Sequence, residues 1–200
     1  MKILQFGSMG TVGAAVLTAL RELEHNVIAA NFEEGDLRID ITKSSSIAGV
    51  YSAVGNVDAV VCTVGVVPLK PLSQTTKADV DDAVAGKLSA QIDIVLQGLE
   101  YLNPRGSFTL ISGIMSRVPW PGGIGATIVD SGLDAFVMGA AAELGQDRRI
   151  NAVSPTIIAE SVAKIGVNLL PGHEPVPAAN VAAAFVRSVA GIESGKVFTV

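Results

Sequence analysis

One cysteine, Cys62, stands in the 200 residues of the chain. An internal disulfide is therefore excluded, and the count fits a reducing, cytoplasmic setting. Aromatic residues are scarce, at 4% against a hydrophobic fraction of 49%, so the core must be built from Val, Ile, Leu and Ala. Positive charge is also short. The net charge is −5 and no basic stripe runs along the chain, which argues against a nucleic-acid partner. The first residues carry no charged flank, apolar stretch and small-residue cleavage site, so they do not read as a secretory signal. No apolar run reads as long enough to span a bilayer, and no membrane partner is expected. His, Cys, Asp and Glu nowhere fall at metal-ligand spacing, so no metal is expected. Repeats, low-complexity tracts and linkers are absent too. A chain of this length suits one domain with a sizeable core.

What is present starts at the first residue. Lys2–Phe6 reads as a buried strand. Gly7, Gly10 and Gly13 follow at G-x-x-G-x-x-G spacing, and Val16, Leu20 and Leu23 then mark one face of a helix. Strand, glycine turn and helix together hold a nucleotide cofactor. One glycine makes the turn, one lets the backbone approach a pyrophosphate, and one lets helix and strand pack closely. No Lys-Ser or Lys-Thr follows, which excludes an ATP-binding P-loop.

Apolar runs alternate with helical patterns along the rest of the chain. Further strands are predicted at Asn26–Ala30, Leu37–Ile39, Ala59–Thr63, Ser107–Ser112, Ile150–Ser154 and Lys196–Val200. Helices are predicted at Thr11–Leu23, Ser44–Val54, Lys77–Leu102, Gly123–Leu144, Ala159–Leu170 and Ala178–Val189. A hydroxyl among Ser44–Ser46 is expected to cap one helix, and Thr75 or Thr76 the next. Strands apolar on both faces, separated by helices, predict a doubly wound parallel sheet in a single α/β domain.

Ligands of such sheets lie outside the carboxyl ends of the strands. That rule selects Gly7, Ser8, Met9, Gly10, Thr11 and Val12 for the phosphates and Asn31 and Glu33 for the ribose. It also selects Asp40 and Ile41, Thr63 and Gly65, Ser112–Arg117 and Pro155. Glu33 and Glu34 would repel a 2′-phosphate, which favours NAD over NADP. The same carboxylates also read as a solvated acidic turn, and a chain without any cofactor stays open.

These segments resemble the short-chain dehydrogenase/reductase family over the whole chain. Gly7-x-x-Gly10-x-x-Gly13 is similar to the glycine motif of its extended and atypical branches. Asp40-Ile41-Thr42 resembles the segment whose Asp contacts adenine. Cys62-Thr63-Val64-Gly65 stands where the family has Asn-Asn-Ala-Gly, and Asn151-Ala152-Val153-Ser154-Pro155 resembles the segment entering its Pro-Gly turn. The resemblance implies a three-layer Rossmann fold, a nicotinamide cofactor, a small carbonyl or alcohol substrate, and a homodimer or homotetramer.

It also exposes departures. Ala126 falls at the position of the family's catalytic Tyr, Asp130 at its Lys, Gly113 at its Ser and Lys87 at its Asn. The only tyrosines, Tyr51 and Tyr101, lie elsewhere. Lys87 and Asp130 are expected to pair across the site, either as a buried ion pair or as a proton carrier. Ser112 is the surviving hydroxyl at the end of the fifth strand. Ser116, Arg117 and Trp120 are the candidate substrate contacts; Arg117 would steer a carboxylate and Trp120 would form a pocket wall. Three readings follow: an oxidoreductase, a non-redox enzyme (cyclase, isomerase or dehydratase) reusing the pocket, and a redox-inactive sensor of NAD(H).

Overall fold

A computed structural model describes residues 1–65, 67–165 and 172–200. Its strands are β1 (Lys2–Phe6), β2 (Asn26–Asn31), β3 (Leu37–Arg38), β4 (Val57–Cys62), β5 (Leu102–Ile111), β6 (Arg149–Ser154) and β7 (Val197–Thr199). They form one parallel sheet in the order β3-β2-β1-β4-β5-β6-β7. The chain winds from β1 out to β3, then returns to β4 on the other side, so the switch point lies between β1 and β4.

Because the strands are apolar on both faces, each face needs a cover of helices. Helices α2 (Ser44–Val54), α4 (Ala90–Gly98) and α5 (Ile124–Leu144) cover one face, over a core that includes Phe6, Tyr51, Phe108, Leu110 and Leu133. Helices α1 (Thr11–Glu22) and α7 (Ala178–Ala190) cover the other, over Ile3, Val16, Leu20, Val61 and Phe185. Each fully buried Leu, Val or Phe contributes about 1.5–3 kcal/mol of transfer free energy.

Four local expectations need correction. The long helix predicted from Lys77 is three segments: α3 (Lys77–Ala83), a π turn (Val84–Ser89) and α4. The wider turn admits one extra residue where Lys87 enters the interior. Strand β5 begins at Leu102, five residues early. Leu102 pairs with Val57 before an irregularity that absorbs Asn103–Gly106, with Arg105 at φ +64°. No serine caps α2: Lys43 is its N-cap, and Ser46 Oγ accepts instead from Asp40 N at 3.0 Å. Thr76 does cap α3, in a reciprocal pair with Asp79. Of the helix predicted at Ala159–Leu170, a 3₁₀ turn (Ala159–Ser161) and α6 (Val162–Ile165) are described; 166–170 lie outside the described residues.

Helix α5 also departs from expectation. Its 21 residues are long and apolar enough to cross a bilayer by length and composition. Here Val129, Asp130, Leu133 and Val137 face the protein interior.

Candidate functional site

Strand β1 runs into a turn whose glycines have three different reasons to be there. Gly7 has φ +84°, a conformation that L side chains rarely adopt, and a Cβ there would strike Val64. A Cβ at Gly13 would strike the Gly7 carbonyl, because α1 packs directly onto the turn. Gly10 is different: a Cβ there would meet nothing within 4 Å. It is the N-cap of α1 and offers no side-chain cap, so the first N–H groups of the helix stay free for an anion. The protein itself does not require glycine at this position; a pyrophosphate brought close to the backbone would.

The turn is braced from below. Asn31, placed at the ribose by sequence, is buried; its Oδ1 accepts from Ser8 N at 2.5 Å and its Nδ2 donates to Ser8 Oγ at 2.9 Å. Its amide is committed to the turn, so its part is to hold the backbone of that turn. Thr63 Oγ1 donates to the Gly7 carbonyl. Gln5, fully buried, donates to Gly13 O at 2.8 Å. Sequence reading missed Gln5; a lone amide inside an apolar strand was the signal.

A crevice of about 630 Å³ opens beside this turn, lined by Gly7, Met9, Gly10, Asn31–Glu34, Ile39–Thr42 and Thr63–Gly65. Ser8, Thr11, Val12 and Pro155 are not among its lining residues. Glu33 and Glu34 are exposed on its rim. Asp40 Oδ1 accepts from Thr42 Oγ1 at 2.6 Å and from Thr42 N at 3.1 Å, and Oδ2 lies 3.0 Å from Lys43 Nζ. These bonds, the Thr42 hydroxyl first, pull its carboxyl down to about 2. Ile41 is half-buried against the core.

The other half of the site gathers at the end of β5. Lys87 Nζ donates to Asp130 Oδ1 at 2.7 Å and to the Ser112 carbonyl at 3.1 Å. Lys87 is 8% exposed and Asp130 2%, so both charges are inside. Burial raises the Asp130 carboxyl above its usual value, against the pull of Lys87. Two glycines make room for the pair. A Cβ at Gly65 would come within 2.5 Å of Lys87 Cγ, and one at Gly113 within 2.5 Å of Asp130 Oδ2. Buried Gln91, also missed by sequence, bridges the gap between β4 and β5. Its amide donates to Val64 O at 3.1 Å and Ile111 O at 2.9 Å and accepts from Ile111 N at 3.1 Å.

The remaining candidates are less free than expected. Ser112 is buried, and its hydroxyl has no partner among the described residues. Ser116 Oγ donates to Gly113 O at 3.1 Å. Arg117 Nη1 bonds Ser154 Oγ at 3.0 Å and lies 3.8 Å from Asp134 Oδ2, so its guanidinium is partly engaged within the protein instead of standing open to a substrate carboxylate. Trp120 packs with Ile114 and Ile157, and its indole N–H has no partner among the described residues. Ala126 is half-buried in the first turn of α5. The two phenols sit between α2 and α4. Tyr51 donates to Ile94 O at 2.6 Å, and Tyr101 stacks on it with ring centroids 5.3 Å apart. Burial pushes the Cys62 thiol up to about 12. Among the described residues, no group of three His, Cys, Asp or Glu side chains is placed to hold a metal ion.

Sheet order, glycine turn and crevice together define an α/β protein of the doubly wound class. The family model described as Enoyl-(Acyl carrier protein) reductase matches residues 10–190, and the chain belongs to the short-chain dehydrogenase/reductase family. Among solved structures, the protein lin1944 from Listeria innocua is 41% identical, with 100% of this chain and 99% of that chain covered and a TM-score of 0.96. A small-chain dehydrogenase in complex with NADPH is 22% identical, covering 100% and 96%, at a TM-score of 0.88. A short-chain dehydrogenase/reductase from Serratia marcescens is 18% identical, covering 100% and 96%, at a TM-score of 0.85. A comparison with curated proteins gives no match.

Proposed function

We propose that the chain is a nicotinamide-dependent oxidoreductase for a small carbonyl or alcohol, working without the family's Tyr-x-x-x-Lys pair. The observation that carries this reading is the space at Gly10, at the free N-terminus of α1 and open to the crevice. The solved neighbour with NADPH supports nicotinamide binding in this fold. Gly7–Val12 would hold the pyrophosphate, Glu33 the ribose, Asp40 and Ile41 the adenine, and Thr63, Gly65 and Pro155 the nicotinamide half. The bound group supplies or accepts a hydride. Lys87 and Asp130 meet beside Ser112 just past the end of β5, and the proton role falls to these three. Ser116, Arg117 and Trp120 shape the loop beyond.

Glu33 and Glu34 on the rim favour NAD(H), since they would repel a 2′-phosphate and no Lys or Arg is among the described residues that line the crevice. In a fluorescence titration, NADH is expected to bind at least about tenfold more tightly than NADPH, and Glu33→Arg to narrow the gap. Failure of both dinucleotides to bind would sink the oxidoreductase reading. Ala126 in place of a phenol favours one second reading, a sensor that binds NAD(H) without turnover. Binding with no oxidation across a broad carbonyl panel would select it.

The assembly is a homodimer or homotetramer in this reading, supported by Leu96, Ile128 and Met138 exposed on α4 and α5. Light scattering is expected to give two or four times the 20.5 kDa chain mass; a monomer at micromolar concentration would reject it.

A further inference from the structure

We propose that the backbone N–H of Gly113 is the donor that holds the substrate's oxygen, strengthened by Lys87 acting through the Ser112–Gly113 peptide. The nature of that oxygen, a ketone, aldehyde or carboxylate, rests on the oxidoreductase reading. The donor itself rests on backbone geometry.

Backbone N–H groups alternate sides at the end of β5. Ile111 N points toward β4 and finds Gln91 Oε1 at 3.1 Å. Ser112 N points the other way, to Val153 O of β6 at 2.9 Å, and Ile114 N again to that side, to Pro155 O at 3.0 Å. Gly113 lies between them in extended backbone, φ 175° and ψ 165°. Its N–H therefore falls on the β4 side. There β4 has ended, and Thr63–Gly65 line the crevice. Among the described residues no acceptor meets this N–H. Gly113 is only half-buried, so water or a ligand can satisfy it.

The other end of the same peptide is not free. In a trans amide the carbonyl points opposite to the N–H. The Ser112 carbonyl accepts from Lys87 Nζ at 3.1 Å, and Asp130 anchors that ammonium at 2.7 Å. A cation on the carbonyl draws electron density along the amide and makes its N–H a better donor. Glycine at 113 serves this twice. It lets the backbone close onto Asp130, and it leaves no side chain over the N–H. Lys87 is a positioning residue in this scheme; it touches the peptide, and the peptide touches the ligand. Asp134 and Arg117, the other charges on this side, are 3.8 Å from each other.

The test is an NMR titration of the full ¹⁵N-labelled chain with acetate as the probe, alone and with NADH. The Gly113 amide proton is expected to move downfield and saturate. In the double variant Lys87→Met/Asp130→Asn, which leaves no buried charge unpaired, the same shift is expected to shrink by about half or more. A folded wild type whose Gly113 resonance ignores acetate in both conditions would overturn the proposal, as would an equal shift in the double variant. Should that variant not fold, the wild-type titration alone decides. Absence of NADH binding would count against the oxidoreductase reading only, since the acetate arm without NADH still reports the donor.

Discussion

Asp130→Ala is expected to lower the unfolding free energy by about 3–5 kcal/mol, measured by urea denaturation, because it strands a buried ammonium. Lys87 is 8% exposed, and without its partner only the Ser112 carbonyl remains to it. Removing both charges is a different experiment. Lys87→Met/Asp130→Leu fills the space with apolar atoms and is expected to be neutral, or more stable than the parent by about 1–4 kcal/mol. That asymmetry separates a charge kept for function from one kept for stability. A single Asp130→Ala that costs less than about 1 kcal/mol would mean that water reaches the pair. The pH dependence has a fixed sign. Burial raises the folded Asp130 carboxyl above the ordinary value of 3.8, so between that value and the raised one the folded state holds more protons than the unfolded. Stability from this residue is complete below the unfolded value and falls as pH rises through the folded one. Asp130→Asn removes that component from the pH profile.

The second large effect contrasts two glycines of one turn. Gly10→Val is expected to change stability by less than about 1 kcal/mol, because a Cβ there meets nothing, yet to weaken NADH binding about 100-fold by occupying the phosphate approach. Gly13→Val is expected to cost about 3 kcal/mol in stability, since its Cβ strikes the Gly7 carbonyl. Thermal unfolding and NADH fluorescence measure the two together. Equal destabilisation by both, or full NADH affinity in Gly10→Val, would contradict the division of labour.

Much of this architecture is written in alternation. Strands apolar on both faces and helices with a single apolar stripe have one economical arrangement, and β1 and α2 have the predicted ends. The misread places share a cause, which is that tertiary pairing overrides local pattern. Pro104 and Arg105 look like a loop, but the pairing of Leu102 with Val57 draws them into β5. The apolar period continues across Val84–Ser89, so nothing local marks the π turn. In the site, the exchange of residue types at positions 87 and 130 made their meeting legible. That Gly65 and Gly113 exist to admit them was not, because it depends on distances of a few tenths of an ångström between backbone and side chain. The engagement of Arg117 near Asp134 was hidden for the same reason: the two are distant along the chain and meet only through the packing of α5.

Gln91 has a consequence for kinetics. Its amide grips Val64 on one side and Ile111 on the other, so the carboxyl ends of β4 and β5 are splayed at a fixed width before any guest arrives. Among the described residues, this seam is already set open by the Gln91 bonds. Dinucleotide capture should then proceed in a single exponential phase whose rate rises linearly with concentration, and shortening this side chain should introduce a slower, saturable step.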